Sequence, residues 1–183
     1  MPIIVPGGDL AIVAHQDDDI LFMNPDIANS IDAGLPVTTV FLTAGDAGLG
    51  TDYWEGRETG AKAAYALMTG SDDWVDETQT IMSGGTEFEI ASSYLDSDPD
   101  VRLYFMRLPD GAGLLEPEEQ QLLARLQTGT IDAVGTVDGS AVYGRDDIVN
   151  VLSGLMDLHE PSQFRFQIDE GDFSSGEHTD HLQ

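Results

Sequence analysis

Hydrophobic residues in this 183-residue chain form short apolar runs, separated by stretches in which apolar residues recur at helical spacing. The runs predict buried strands and the spaced stretches predict amphipathic helices. The predicted strands cover residues 9–14, 36–43, 78–82, 88–94, 101–108, 131–137 and 164–168. The predicted helices cover residues 20–33, 53–68, 117–127 and 145–158.

Alternation of strands and helices predicts a three-layer, Rossmann-like α/β fold, a mostly parallel sheet flanked by helices. An antiparallel portion is expected around residues 78–108, and residues 131–137 are expected to add another parallel strand. The length and the 41% hydrophobic content predict one domain over residues 1–183.

Sheets of this kind bind ligands beyond the carboxyl ends of their strands. The loops after Ala14, Thr43, Val137 and Ile168 are therefore expected at one edge of the sheet. Most of the residues with reactive side chains lie in these loops, so this edge is the expected functional site.

Acidic residues dominate the charge of the chain, with 34 Asp and Glu against 7 Lys and Arg and a formal net charge of -27. Such a surface repels phosphate, so neither nucleic acid nor an anionic membrane is an expected partner. Most of the carboxylates are interpreted as a solvated face that keeps the protein soluble. Adaptation to high salt is an alternative that the sequence leaves open.

The chain has no cysteine, which excludes disulfides, thiolate metal ligands and a cysteine nucleophile. Any metal must therefore be held by histidine and carboxylate. The amino terminus lacks the pattern of a signal peptide and no apolar run is long enough to span a bilayer, so a soluble protein is expected. The sequence leaves the compartment and the oligomeric state open.

Two polar clusters follow predicted strands near opposite ends of the chain. His15, Asp17 and Asp18 form the first, and His178-Thr-Asp-His181 forms the second. Two histidines and a carboxylate suit a catalytic zinc site, which leaves one position for water. Either cluster alone is common among surface polar residues, but two clusters at one sheet edge favour a metal site.

The two clusters resemble the paired signatures of a known family. Ala14-His-Gln-Asp-Asp-Asp19 is similar to the Ala-His-Pro-Asp-Asp-Glu signature of the LmbE-like or PIG-L zinc-dependent deacetylases, and the second cluster is similar to their His-x-Asp-His signature. This family includes the N-acetylglucosaminyl-phosphatidylinositol and mycothiol-pathway de-N-acetylases. The resemblance extends from about Asp9 to the last residue and includes Phe41-Leu-Thr-Ala-Gly-Asp46.

The resemblance implies a zinc-dependent hydrolase that removes an acetyl group from an amino sugar or sugar conjugate. It assigns His15, Asp18 and His181 to the zinc ion and makes Asp17 the general base toward the metal-bound water. Zinc would also keep the base ionised.

Further roles follow from the same resemblance. His178 would stabilise the oxyanion or protonate the leaving amine, with Asp180 beside it to orient or charge it. Arg57 matches the family arginine on the helix after the second strand, which implies a substrate contact. An ion pair of Arg57 with Glu55 or Glu58 is the alternative interpretation.

The chain departs from the family pattern at several positions. Gln16 replaces the usual proline, Asp19 the usual glutamate, and Gly60 the glutamate usually found three residues after the helix arginine. The family continues beyond its second signature, whereas this chain ends two residues after His181, so a domain truncated at its carboxyl end is expected.

Residues outside the two signatures carry weaker signals. His159 is expected to be a helix-end residue rather than a ligand. Asp46 and Asp138 lie in loops at the expected active edge and are either substrate contacts or turn formers, and the turn former is favoured. Tyr53 and Trp54 form either a sugar platform or part of the core, and the core is favoured.

Two other hypotheses remain beside the deacetylase. The first is a non-catalytic carbohydrate-binding or assembly module on the same fold within a larger protein. The second is a calcium-dependent acidic protein, which is weaker because calcium sites use oxygen ligands and do not need His15 or His181.

Overall fold

A computed structural model describes residues 3–83, 85–110 and 122–167. The strands are β1 (Asp9–Val13), β2 (Val37–Thr43), β3 (Trp74–Ser83), β4 (Thr86–Leu95), β5 (Val101–Leu108), β6 (Ala133–Gly135), β7 (Val142–Gly144) and β8 (Gln163–Phe166). The helices are α1 (Asp18–Phe22), α2 (Asp26–Asp32), α3 (Thr51–Thr69), α4 (Leu122–Gln127) and α5 (Arg145–His159).

Six of these strands form the central sheet in the order β3-β4-β5-β2-β1-β8. Strands β5, β2, β1 and β8 are parallel to one another, whereas β3, β4 and β5 pair antiparallel. This arrangement confirms the prediction of a mostly parallel sheet with an antiparallel portion around residues 78–108.

Side chains alternate between the two faces of the sheet and supply a separate core to each. In β2, Val40 packs into the core beneath α4 and α5, while its neighbour Phe41 packs into the core beneath α2 and α3. The ring of Phe41 stacks on Phe105 of β5 with the centroids 5.4 Å apart. Helices on both faces confirm the three-layer α/β architecture.

The expectation of another parallel strand over residues 131–137 was wrong. Strand β6 pairs antiparallel with β7 in a separate two-stranded sheet. The chain reverses at Asp138, whose carboxylate accepts hydrogen bonds from the backbone and the hydroxyl of Ser140. Because this tight turn returns the chain at once, β6 finds its partner in β7 and does not join the central sheet.

The single helix expected over residues 20–33 is two helices, α1 and α2, with Pro25 at the junction. Proline has no N–H to donate and its ring disfavours helical backbone at the preceding residue, here Asn24. Part of the helix predicted over residues 117–127 and the end of the strand predicted over 164–168 lie outside the described residues. Within the described ranges, no helix is both long and apolar enough to cross a membrane.

Candidate functional site

His15 and Asp18 lie together in the loop after β1. The backbone N–H of His15 donates to Asp18 Oδ2 at 2.7 Å, and the same oxygen lies 3.3 Å from His15 Nδ1. Both side chains are buried, with exposed fractions of 6% and 3%. The turn therefore brings an imidazole and a carboxylate together beneath the surface at the carboxyl edge of the sheet.

Asp110, which follows β5, reaches the same place from another strand. Its Oδ1 lies 3.7 Å from His15 Nε2, and its backbone N–H donates to Asp46 Oδ1 at 2.7 Å. Asp46 also accepts a hydrogen bond from the N–H of Gly48, so it organises its own loop as expected of a turn former. Asp110 was not predicted from the sequence, although its position after a parallel strand that meets this edge was a usable signal.

Asp17 and Arg57 form an ion pair at the rim of the site. Arg57 Nη2 lies 2.8 Å from Asp17 Oδ1, and its Nε donates to Gln16 Oε1 at 3.2 Å. The interpretation of Arg57 as a partner of Glu55 or Glu58 was wrong, because α3 directs this side chain toward the loop after β1. The geometry brings the expected general base and the expected substrate-binding arginine together.

Gln16 holds this arrangement in place through both ends of its amide. Its Nε2 donates to the carbonyl of Thr43 at 2.8 Å while its Oε1 accepts from Arg57. Gly45 makes room for both, because a Cβ there would lie 2.5 Å from Arg57 Nε and 2.7 Å from Gln16 Oε1. Its φ of 57° also lies in the left-handed region that favours glycine.

Asp19 points away from the rim into a buried polar chain. Tyr65 Oη donates to Asp19 Oδ2 at 2.8 Å and lies 2.6 Å from the hydroxyl of Thr39. Burial raises the pKa of Asp19 to about 6, against the lowering effect of hydrogen bonds from Tyr65 and the N–H of Ile20. Three consecutive aspartates thus have three environments: an ion pair, a histidine partner and a buried tyrosine.

A second charge cluster joins α3, β5 and the loop after β6. Arg107 binds both carboxylate oxygens of Glu58 at 2.8 and 2.9 Å and Asp138 at 2.8 Å, and its guanidinium lies 4.9 Å from the ring centre of Trp54. Partial burial raises the pKa of Asp138, but hydrogen bonds, first of all from Arg107, outweigh it and hold the pKa well below its usual range. Trp54 is buried, as the core interpretation favoured, whereas Tyr53 is exposed.

His159 ends α5 as expected and lies in the core, away from His15. Its Nε2 is 2.9 Å from Tyr104 Oη and its Nδ1 is 3.2 Å from Thr38 Oγ1. Burial, aided by the nearby positive charge of Arg102, lowers its pKa to about 4. This histidine is neutral and structural at physiological pH.

The second cluster, with His178, Asp180 and His181, lies outside the described residues. Within residues 3–83, 85–110 and 122–167, no group of three or more His, Cys, Asp or Glu could hold a metal ion. The described part supplies His15 and Asp18, whose nitrogen and oxygen donors suit zinc. The complete zinc set of His15, Asp18 and His181 therefore stays a prediction.

Comparison with known proteins identifies a family whose model matches almost the whole chain. A family model described as PIG-L: GlcNAc-PI de-N-acetylase matches residues 10–183, a range that contains both polar clusters, α3 and the carboxyl ends of β1, β2 and β5. No curated protein and no solved structure gives a significant match to the chain. The match to the family model confirms the resemblance carried by the two signatures.

Proposed function

We propose, because this chain belongs to the PIG-L family of GlcNAc-PI de-N-acetylases, that it is a zinc-dependent hydrolase acting on an N-acetylated amino sugar or sugar conjugate. The observation that carries the proposal is the convergence of His15, Asp18 and the Asp17–Arg57 ion pair at one edge of the sheet. That edge is where parallel α/β sheets bind ligands.

The donor set at this edge fits zinc. His15 offers imidazole nitrogen and Asp18 offers carboxylate oxygen, both buried and already directed at each other, and His181 is the proposed third ligand. Bound zinc would polarise the acetamide carbonyl and promote ionisation of water near neutral pH.

Asp17 suits the role of general base. Its side chain is 56% exposed, so water can reach it, and the ion pair with Arg57 holds the carboxylate at the rim of the site. In the proposed reaction Asp17 accepts a proton from the attacking water. The amide C–N bond then breaks, acetate leaves, and the free amine takes a proton, which His178 would supply with Asp180 behind it.

Arg57 is the proposed substrate contact beside the base. Its guanidinium is partly exposed, and Gln16 and Asp17 fix it on the side of the site formed by α3. A fixed guanidinium binds sugar hydroxyls with little loss of side-chain freedom. The excess of negative charge over the chain supports a small sugar substrate rather than nucleic acid or an anionic membrane.

Metal content and acetate release test the proposal together. Elemental analysis of the purified protein should find close to one zinc per chain, and both His15→Ala and Asp18→Ala should lose it together with acetate release from N-acetylglucosamine. Asp32→Ala, a control at an exposed position at the end of α2, should keep both. A protein that holds no zinc after reconstitution contradicts the enzyme and leaves the binding-module alternative on the same fold.

A further inference from the structure

A polar cleft of about 490 Å³ lies beside the candidate site, between α3 and the antiparallel strands. Its α3 wall includes Glu58, Thr59 and Lys62, and its sheet wall includes Asp76, Thr78, Ser93 and Arg107. Contacts of α3 with β3 close one side of the cleft, because the carbonyl of Lys62 accepts from the Trp74 indole and its ammonium binds Asp76.

The cleft and the candidate site share a boundary on α3. Arg57 extends to Asp17 in the candidate site, while the next residue, Glu58, lines the cleft and binds Arg107. Arg107 in turn stands three positions before Asp110, which lies beside His15. A substrate whose acetamido group lies at His15 and Asp18 can therefore extend over Glu58 into the cleft.

The charge of the lining selects a neutral ligand. Of the charged side chains that line the cleft, Glu55, Glu58, Asp76 and Glu77 are acidic, against Lys62 and Arg107. Both cations are already ion-paired, Lys62 to Asp76 at 2.6 Å and Arg107 to Glu58 at 2.8 Å. A phosphate would meet an excess of carboxylates, whereas a polyhydroxylated ring can donate to them. The hydroxyls of Thr59 and Ser93 already donate to the Glu55 carbonyl and to Asp76, so their oxygens can accept from the ring, while the hydroxyl of Thr78 can donate to it.

We infer that this cleft is a subsite for an uncharged, hydroxylated sugar unit attached to the N-acetylated sugar. The inference rests on the proposed deacetylase and narrows its substrate class to neutral oligosaccharides or glycosides. Phosphate-linked conjugates are disfavoured by the same lining.

Kinetics on three probes test the subsite: N-acetylglucosamine, N,N′-diacetylchitobiose and UDP-N-acetylglucosamine. Acetate release should give a kcat/KM for the neutral disaccharide about tenfold above that of the other two. Thr78→Leu removes one hydroxyl from the cleft and should lower the ratio of disaccharide to monosaccharide efficiency about fivefold, the effect of roughly one hydrogen bond. Thr80→Leu, on the same face of β3 but outside the lining, is the matched control and should leave the ratio unchanged.

The outcomes separate the subsite from the proposed function. The subsite is overturned, and the deacetylase stands, under any of three results with N-acetylglucosamine hydrolysed. The kcat/KM for the disaccharide equals that for the monosaccharide, Thr78→Leu gives the same ratio as Thr80→Leu, or the UDP sugar has the highest kcat/KM. If no probe releases acetate, the deacetylase fails and calorimetry decides the subsite alone. The subsite is supported if Thr78→Leu weakens the binding of diacetylchitobiose and Thr80→Leu does not. It is overturned if the native protein does not bind diacetylchitobiose.

Discussion

At the scale of single residues, the acidic loop after β1 is organised by the partners that each side chain finds. Asp17 faces Arg57, Asp18 turns back to His15, and Asp19 enters the core beneath Tyr65. The three adjacent aspartates have the same chemical group, so their different environments come from the elements that surround each side chain. Those surroundings support the roles proposed for Asp17 and Asp18 from the family resemblance.

Asp17→Asn should lower kcat by about 10²–10⁴-fold, the usual contribution of a general base, because an amide cannot accept the proton from water. Zinc content should stay at the native level, since the residue is proposed as base and not as ligand. Acetate-release kinetics with elemental analysis check both. The matched control is Asp52→Asn in the first turn of α3, and equal activity of the two variants would contradict the role of Asp17.

Gln16→Ala should raise KM for N-acetylglucosamine by about 10- to 100-fold, because a hydrogen bond to a charged group typically contributes about 1.5–3 kcal/mol. Without the amide, Arg57 loses its Nε acceptor and its fixed orientation. Gln127→Ala, at an exposed position at the end of α4, should leave KM unchanged. An unaltered KM in Gln16→Ala would show that Arg57 needs no such support.

At the scale of elements, Arg107 joins three pieces of the fold through side-chain contacts. It binds Glu58 on α3 and Asp138 in the loop after β6, and it is itself the next-to-last residue of β5. Its φ of 56° is left-handed, which costs free energy at a residue other than glycine and persists only where surrounding contacts hold it.

Arg107→Lys should destabilise the fold by about 1–3 kcal/mol, because an ammonium group cannot replace two parallel hydrogen bonds and leaves the buried Glu58 partly unpaired. Urea unfolding measures the change. The same substitution at the exposed Arg145 should shift stability by less than about 0.5 kcal/mol. Equal effects at both positions would mean that the cluster contributes no more than a surface charge.

The end of α5 gives the fold a dependence on pH. Folding lowers the pKa of His159 from 6.5 to about 4, so between these values the unfolded chain binds more protons and stability falls as pH falls. Asp19 acts in the opposite sense, because its pKa is raised from 3.8 to about 6 and the folded chain therefore binds more protons in that range.

Comparison of the native chain with His159→Gln isolates the first effect, since Asp19 is common to both. Between pH 6.5 and 4 the native chain should lose more stability than the variant, on the order of 3 kcal/mol at about 1.4 kcal/mol per pH unit. Urea unfolding at a series of pH values measures the difference. Parallel curves for the two proteins would show that His159 is not held neutral by the fold.

At the scale of the whole molecule, the net charge of -27 is the dominant feature. Like charges on a compact surface repel one another, and the repulsion is largest in the folded state, where they are closest. Salt shortens the range of that repulsion from about 10 Å at 0.1 M to about 3 Å at 1 M.

Raising NaCl from about 0.05 to 1 M should therefore raise the melting temperature, because the Debye length falls below the typical spacing of surface charges. Differential scanning calorimetry measures the shift. A variant with lysine in place of the exposed Asp52, Glu87 and Asp146 carries less repulsion and should respond less to salt. If salt raised the melting temperature of the variant as much as that of the native chain, the effect would come from stronger burial of apolar surface and not from screening of charge.

Much of the fold could be predicted from the sequence, because a strand or helix with one buried face has apolar residues at regular spacing. Strand β5 was predicted with its bounds, and α3 and α5 to within two residues. The wrong predictions concern segments whose hydrophobic pattern is ambiguous. Strand β6 is so short that its apolar residues fit either a parallel or an antiparallel pairing, and the break between α1 and α2 depends on one proline. Short segments take their pairing from tertiary contacts rather than from their own periodicity.

By itself, the sequence determined the alternation of strands and helices, the excess of acidic residues, the family and which residues form the first polar cluster. Periodicity, composition and motif spacing are properties of the chain that do not depend on tertiary contacts. The tertiary structure alone decided that Arg57 pairs with Asp17, that Asp110 approaches His15, and that a polar cleft adjoins them. These residues are far apart in the chain. Only the strand order places the ends of β1, β2 and β5 side by side, so only the folded chain could show which side chains meet.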